Sequence, residues 1–208
     1  DPDAGVKDHG NRELKPAEGT TSSFGYTHKF NEVSAFTFNW FKTKNTRTIG
    51  YSDEEKKYVN YDFGLARGWN AQLIYQLSKD WTFNLGWAHL YQNVPGDNFA
   101  MGYYPKDKIT FDLVYTHKKW QVGMDGFYFI RRKNPAYADY KGWPHDKYGI
   151  YNMAINYSPN KKATIYVKVD NIFDTLWAEH TNVVHGGKAG SWYSMPGRTI
   201  SFGGRFNF

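Results

Sequence analysis

The sequence lacks cysteine, and it also lacks any long run of apolar residues. Without cysteine the chain has neither a disulfide framework nor a thiolate metal site. A membrane-spanning helix needs about 20 consecutive apolar residues, and no window of this sequence approaches that length. Only 40% of the 208 residues are hydrophobic, and the mean hydropathy is −0.72. The composition therefore excludes a helical membrane protein and is polar for a globular core.

The positive charge of the chain is spread rather than concentrated. The formal net charge is +6, but Lys and Arg fall mostly at segment ends and in loops instead of forming a stripe on one element. We therefore expect no nucleic-acid partner. Aromatic residues are abundant instead: 17 Tyr, 15 Phe and 8 Trp make up 19% of the chain.

The aromatic and aliphatic residues alternate with small or polar ones. In "WTFNLGWAHLY", positions 81, 83, 85 and 87 are large and apolar, whereas 82, 84, 86 and 88 are small or polar. Such alternation places the two sets on opposite faces of an extended strand. The pattern recurs within 24–30, 36–40, 69–77, 109–115, 122–130, 151–157, 165–169 and 200–208. We predict about nine strands and an all-β fold.

The connections between these strands alternate in length. Tight turns are predicted near Asn31, Lys79, Lys118 and Pro159. Long segments lie between them, at 43–59, 92–106, 131–147 and 172–197. Short turns on one side and long loops on the other are the plan of a transmembrane antiparallel β-barrel, in which each strand has an apolar lipid face and a polar lumen face. A soluble lipocalin-like barrel or a β-sandwich is the alternative.

The odd number of strands has a consequence for closure. Bacterial single-chain barrels have an even number of strands, and an open sheet edge in lipid leaves backbone groups unsatisfied at several kcal/mol each. We therefore expect the strands near 20–30 and 198–208 to pair with strands that this chain does not contain. Pairing of these two segments with each other would instead indicate a small, self-closed barrel.

Three segments resemble TonB-dependent outer-membrane receptors. "NRELKPAEGTTSSFGYTHKF" is similar to an "N-P-x-L-K-P-E … E-x-G" segment of that family, and "VDNIFDTLW" at 169–177 is similar to "V-x-N-L-F-D-x-x-Y". "PGRTISFGGRFNF" resembles the closing strand of the family. The matching residues are Asn11, Leu14, Lys15, Pro16, Gly25 and Tyr26 in the first segment, and Pro196, Gly197, Arg198, Gly203 and Phe208 in the last.

The resemblance implies an architecture and a location. The family fold is a barrel of about 22 strands plugged by an N-terminal domain, and residues 1–208 look like the last nine strands, without the plug. The plug and the remaining strands would come from a second polypeptide or a missing N-terminal region. The protein would lie in the outer membrane of a diderm bacterium with its C-terminus in the periplasm. Phe208 would be the signal for barrel assembly.

The resemblance also implies a function. An active-transport receptor takes up a scarce nutrient, most often a ferric siderophore or another iron complex, haem or cobalamin, and is energised by the TonB complex through its plug. A self-contained barrel acting as a passive pore or a surface protease is the alternative. No Ser-His-Asp spacing, phosphate-binding glycine loop or buried acidic pair emerges from the sequence. We therefore predict that the chain is not an enzyme.

Two of the long segments combine cations with aromatic rings, a combination that suits an anionic, ring-bearing ligand. In the first, the candidate ligand-binding residues are Arg131, Arg132, Lys133, Tyr137, Tyr140 and Trp143. In the second, they are His180, His185, Trp192 and Tyr193. Contact with lipopolysaccharide, or with water alone, is the alternative for these basic residues.

His180 and His185 are the residues of this sequence that most resemble a metal or haem site. His180 and His185 have Glu179 beside them, but an irregular loop rarely holds a closed metal site from two histidines alone. We predict no metal site and no cofactor. Asp170, Asn171 and Asp174 are predicted to cap the turn after a strand by accepting backbone N–H bonds. His28, His89 and His117 share the parity of the lipid-facing residues near strand ends.

Overall fold

The computed structural model describes residues 11–52, 54–93, 105–131, 147–177 and 195–206. Within these ranges there are eleven β-strands. Their bounds are β1 Glu18–Lys29, β2 Ala35–Thr46, β3 Thr48–Ser52, β4 Lys57–Tyr61, β5 Gly64–Gln76, β6 Trp81–Asn93, β7 Pro105–His117, β8 Trp120–Arg131, β9 Lys147–Asn160, β10 Ala163–Asp170 and β11 Thr199–Phe206. None of the described residues belongs to a helix that is long and apolar enough to cross a membrane.

Nine of the strands form one antiparallel sheet in the order β1-β2-β5-β6-β7-β8-β9-β10-β11, as the alternation predicts. β1 pairs only with β2 and β11 only with β10 among the described residues, so these strands form the two edges of the sheet. The first and last strands are therefore not paired with each other, which excludes the small self-closed barrel. Their pairing with strands of another polypeptide stays a prediction.

The sheet has one apolar and one polar face, which we call the outer and the inner face. On the outer face, Phe83 lies in register between Tyr75 and Leu113. On the inner face, side-chain hydrogen bonds join neighbouring strands. These bonds run from Asn39 to Asn70 (3.0 Å), Gln72 to Asn84 (3.3 Å), Asn152 to Asp125 (2.8 Å) and Asn156 to Gln121 (3.2 Å). Amide and carboxylate groups on facing strands satisfy each other, so the inner face is built for a polar environment.

Large apolar side chains lie mostly at the surface of the sheet. Phe24 is 60% exposed and Phe202 is 84% exposed, whereas Tyr148 and Ile150 are the buried hydrophobic residues of the described ranges. A soluble monomer rarely exposes contiguous apolar surface on this scale. The outer face therefore needs an apolar environment to cover it, as in a lipid bilayer.

The connections at 30–34, 77–80, 118–119 and 161–162 are short and lie at one end of the main sheet, which we call the turn end; the opposite end is the loop end. Asn31 closes the first turn by accepting hydrogen bonds from the backbone N–H groups of Val33 (2.9 Å) and Ser34 (2.8 Å). The β7–β8 turn consists of Lys118 and Lys119, with Lys118 at a φ of 52°. Going along the sheet from β1 to β11, each hairpin at the turn end protrudes two to three residues beyond the preceding hairpin. This stagger is the register shift of tilted barrel strands.

The predicted long loop at 43–59 is wrong. β2 continues to Thr46, and residues 48–61 form a separate hairpin, β3–β4. This hairpin is a separate two-stranded sheet in which Tyr51 lies opposite Tyr58, with ring centroids 5.5 Å apart. Asn60 fixes the N-terminal segment to it: its side-chain amide donates to the carbonyl oxygens of Lys15 and Arg47, each at 2.8 Å, and accepts from the Lys15 N–H at 2.8 Å.

Candidate ligand-binding site on the inner face

Four aromatic rings meet on the inner face near the loop end. They are Phe127 and Phe129 of β8, Tyr148 of β9, and Trp177, which follows β10; we call them the aromatic cluster. Phe129 stacks on Tyr148 with centroids 5.5 Å apart, and Trp177 lies 5.8 Å from Phe127 and 6.0 Å from Tyr148. Offset and edge contacts of this kind favour a rigid aromatic wall.

Lys108 of β7 places a positive charge against this wall. The register puts Lys108 directly opposite Phe129, which in turn faces Tyr148 on the next strand. The Lys108 Nζ lies 5.6 Å from the ring centroid of Phe127 and 5.3 Å from that of Phe129. Both distances are within the range of a cation–π interaction, so the ammonium group is oriented by the rings.

A cavity of about 300 Å³ adjoins Lys108 on the inner face. Its polar lining includes Asn39, Asn70, Gln72 and Thr110. Gly86 also lines the cavity, and a Cβ at this position would lie 2.5 Å from the Thr110 Oγ1. The site thus combines hydrogen-bonding amides, one ammonium group and an aromatic wall.

The segment after β10 is held rigidly by Asn171, whose side chain is almost fully buried. Asn171 has a φ of 52°, a left-handed conformation that asparagine tolerates. Its Oδ1 accepts the Thr175 N–H at 2.9 Å and its Nδ2 donates to the Thr175 carbonyl at 2.9 Å. Its own N–H donates to the Asn152 Oδ1 of β9 at 3.0 Å. The predicted capping role of Asn171 is confirmed.

Asp174 and Trp177 join this segment to the residues before β11. The Asp174 Oδ1 accepts the Arg198 N–H at 2.7 Å, so its predicted role as an acceptor is confirmed. The Trp177 indole N–H donates to the Pro196 carbonyl at 3.3 Å, and the Met195 N–H donates to the Trp177 carbonyl at 2.9 Å. Trp177 is therefore held by two hydrogen bonds to the residues that directly precede β11. Asp170 differs from the prediction, because it forms an ion pair with Lys168 at 2.8 Å.

Most of the ligand-binding residues expected from the sequence lie outside the described residues. Arg131 is the last residue of β8, two positions beyond Phe129. The candidates outside the described residues are Arg132, Lys133, Tyr137, Tyr140, Trp143, His180, His185, Trp192 and Tyr193, together with the assembly signal Phe208. The aromatic cluster adjoins the points where both long segments leave the sheet, since Arg131, Lys147 and Trp177 are their flanking residues.

Sequence reasoning missed the residues that form the inner-face site. Phe127 and Phe129 occupy inner-face positions, where the alternation calls for small or polar side chains. The run "GFYFI" is therefore continuously apolar. Its two phenylalanines at positions expected to be polar were the only indication of the site in the sequence of this strand. Lys108 and Trp177 offered no such signal, because only the register and the hydrogen bonds to Pro196 bring them to the rings.

The outer-face histidines lie near strand ends, as predicted, and two of them pair with carboxylates. The His89 Nδ1 lies 2.7 Å from the Asp107 Oδ1, and the His117 Nδ1 lies 3.0 Å from the Asp80 Oδ2. Across the described ranges, no group of three or more His, Asp or Glu side chains is arranged to hold a metal ion.

The fold is that of known outer-membrane receptors and transporters. The ferric-catecholate import receptor Fiu of E. coli K12 superposes with a TM-score of 0.76 at 18% identity, over 95% of this chain and 29% of that one. The copper transporter OprC superposes with a TM-score of 0.74 at 19% identity, over 95% of this chain and 32% of that one. The pyoverdine outer membrane receptor FpvA of Pseudomonas aeruginosa PAO1 superposes with a TM-score of 0.72 at 17% identity, over 97% of this chain and 31% of that one. The chain therefore spans about a third of the length of these structures. No curated protein sequence matches it.

The family comparison covers most of the chain. Residues 1–172 match the model of the TonB dependent receptor-like, beta-barrel family. This match confirms the resemblance drawn from the three sequence segments and, with the nine-stranded antiparallel sheet, the predicted fold class. The family consists of transport receptors, so the prediction that the chain is not an enzyme is confirmed as well. The chain belongs to the TonB-dependent receptor-like β-barrel family, and it forms nine strands of such a transmembrane barrel.

Proposed function

We propose that the chain is the C-terminal barrel part of an outer-membrane receptor that imports a ferric siderophore or a similar iron complex, energised by TonB. The loop end faces the outside of the cell, and the C-terminus lies in the periplasm. The observation that carries this proposal is Lys108 held against the aromatic cluster beside an amide-lined cavity. This site faces inward, where a ligand entering from the loop end would arrive.

The chemistry of the site suits an anionic ligand with flat rings. The Lys108 ammonium group would neutralise a chelate oxygen, while Phe127, Phe129 and Trp177 provide faces against which an aromatic chelator stacks. Asn39 and Asn70 supply amide N–H donors for the remaining oxygens. The cavity of about 300 Å³ is at the small end of ligand sites. Further contacts would come from the two long segments that carry Arg132, Lys133, His180 and the other predicted ligand-binding residues.

The proposed receptor needs parts that are not in this sheet. β1 and β11 each have one unpaired edge among the described residues, and such edges are not stable in hydrocarbon. We propose that a second polypeptide, or a further region of the same one, supplies the remaining strands and a plug, and that TonB acts through that plug. Family membership gives no support to the passive pore or the surface protease.

A test of this function replaces the central cation of the site. Lys108→Gln should weaken binding of a ferric tris-catecholate by about tenfold, because the anionic ligand loses its electrostatic contact with the ammonium group. The measurement is uptake and binding of radiolabelled iron complex by cells that depend on the receptor. Lys29→Gln is the matched control, since Lys29 is also at inner-face parity but lies at the turn end.

Two outcomes separate the parts of the proposal. Removing the proton-motive force should abolish import while leaving binding intact, as expected for a TonB-energised receptor. Equal binding by the Lys108→Gln variant and the parent would assign the ligand site to another part of the barrel. Import that continues in cells without TonB would contradict the energised mechanism.

A further inference from the structure

Three basic side chains cluster on the outer face near the loop end. Lys42 and Lys44 lie on β2 and Arg67 lies on β5; we call them the basic patch. Lys42 and Arg67 face each other directly in the register, and Lys44 is the next outer-face residue beyond Lys42. The Arg67 guanidinium lies over the ring of Tyr91 on β6, with its Cζ 4.8 Å from the ring centroid. Two cations on facing strands repel each other unless an anion lies between them.

The carboxylates closest to the patch in the register are engaged with other residues. Glu18 on β1 forms an ion pair with Arg47. Asp107 on β7 accepts hydrogen bonds from His89 at 2.7 Å and from the Trp87 indole at 3.1 Å. Within the described ranges, no carboxylate forms an ion pair with Lys42, Lys44 or Arg67. The patch therefore carries three positive charges that are not neutralised by the sheet.

Directly beside the patch, on the side of the turn end, the outer face becomes aromatic. Trp40 and Trp69 face each other one outer-face position below Lys42 and Arg67. The ring of Trp69 lies 4.3 Å from that of Trp87 and 5.7 Å from that of His89. Tryptophan is enriched where a membrane protein passes from hydrocarbon to headgroups. The basic patch thus lies at headgroup level, next to the apolar band of the barrel.

We propose that the basic patch and the adjacent tryptophans bind a lipid whose headgroup carries more than one phosphate, in the leaflet at the loop end. Lys42 and Arg67 would share one phosphate between β2 and β5, and Lys44 would contact a second. The acyl chains would lie along Trp40 and Trp69. Phosphate oxygens accept charge-assisted hydrogen bonds from both lysine and arginine. The inference rests on the membrane orientation given under the proposed function, but not on the identity of the transported ligand.

The experiment measures lipid binding to the completed barrel in non-ionic detergent. The probe is a bisphosphorylated glucosamine glycolipid (lipid A), followed by native mass spectrometry and compared with its phosphate-free form. The triple variant Lys42→Gln, Lys44→Gln, Arg67→Gln should bind lipid A at least tenfold more weakly than the parent. The control variant Lys119→Gln, Lys161→Gln, Lys162→Gln removes the same charge from the turn end and should bind like the parent.

The outcomes decide between the lipid and other occupants. Equal binding of lipid A by the parent and the triple variant would overturn the proposal, as would equal binding of the phosphate-free lipid by the parent. Competition by inorganic pyrophosphate as strong as that by lipid A would identify a site for free anions instead. Uptake of the iron complex by the triple variant should remain at the parental level, which shows that the barrel is folded. This uptake measurement also distinguishes a failure of the lipid site from a failure of the proposed receptor function.

Discussion

The outer and inner faces are made from alternate residues of the same strands, yet they differ in how uniform they are. Along β7 the outer face presents Ile109, Phe111 and Leu113, which are interchangeable as lipid-facing groups. The inner face of the same strand presents Lys108, Thr110 and Asp112, which differ from one another in charge and hydrogen bonding. A solvent such as lipid imposes one requirement on every position. A lumen that must hold a ligand imposes a different one at each position.

A charge placed on the outer face should destabilise the barrel far more than one placed on the inner face. Phe83→Arg or Leu113→Arg should lower the free energy of unfolding by about 2–4 kcal/mol if these positions lie near the bilayer midplane, because the guanidinium cannot be hydrated there. Thr82→Arg and Asp112→Arg, at inner-face positions, should be milder. Unfolding of the barrel in lipid vesicles measures the difference. Outer-face variants that insert and resist denaturation like the parent would reverse the assignment of the two faces.

The difference between the faces also explains what the sequence could predict. The nine strands were predictable because a repeated apolar face leaves a period of two, as in "WTFNLGWAHLY". Asn171 and Asp174 were predictable because their side chains bond to nearby backbone within a short turn. The hairpin β3–β4 was missed because each of its strands has only five residues, too few for the alternation to stand out. The aromatic cluster was missed because contact between Phe127 and Trp177 depends on chain segments that are distant in sequence.

A smaller loss of stability is expected when the Asn171 cap after β10 is removed. Asn171→Ala should lower the free energy of unfolding by about 1–3 kcal/mol, because the Thr175 N–H and carbonyl lose buried hydrogen-bond partners and alanine is strained at a φ of 52°. Chemical denaturation measures this loss. Asn171→Gly separates the two causes, since glycine accepts the positive φ but lacks the amide. Full stability of both variants would contradict the capping role.

A smaller effect is expected from the long segment after β8. If residues 131–147 recognise an anionic chelate, replacing Arg131, Arg132 and Lys133 with alanine should weaken binding of the ferric tris-catecholate by about tenfold at low ionic strength. Added salt should narrow the difference, because exposed charges are screened. Binding isotherms at two salt concentrations provide the measurement. Unchanged affinity at low salt would assign these cations to lipopolysaccharide or to water.

The smallest expected effect comes from a matched pair of phenylalanines, one on each face. Phe129→Leu removes a ring that stacks on Tyr148 and lies near the Lys108 ammonium, so it should weaken binding of the tris-catecholate by a few fold, as aromatic contacts contribute about 0.5–1.5 kcal/mol. Phe111→Leu changes the same group on the outer face, where Phe111 contacts Tyr151, and should leave binding unchanged. Both variants remain apolar, so their stabilities should be similar in lipid vesicles. Because the substitution is the same in both variants, a difference between their binding curves shows which face of the sheet contacts the ligand. A loss of affinity in Phe111→Leu equal to that in Phe129→Leu would mean that the ligand site is not confined to the inner face.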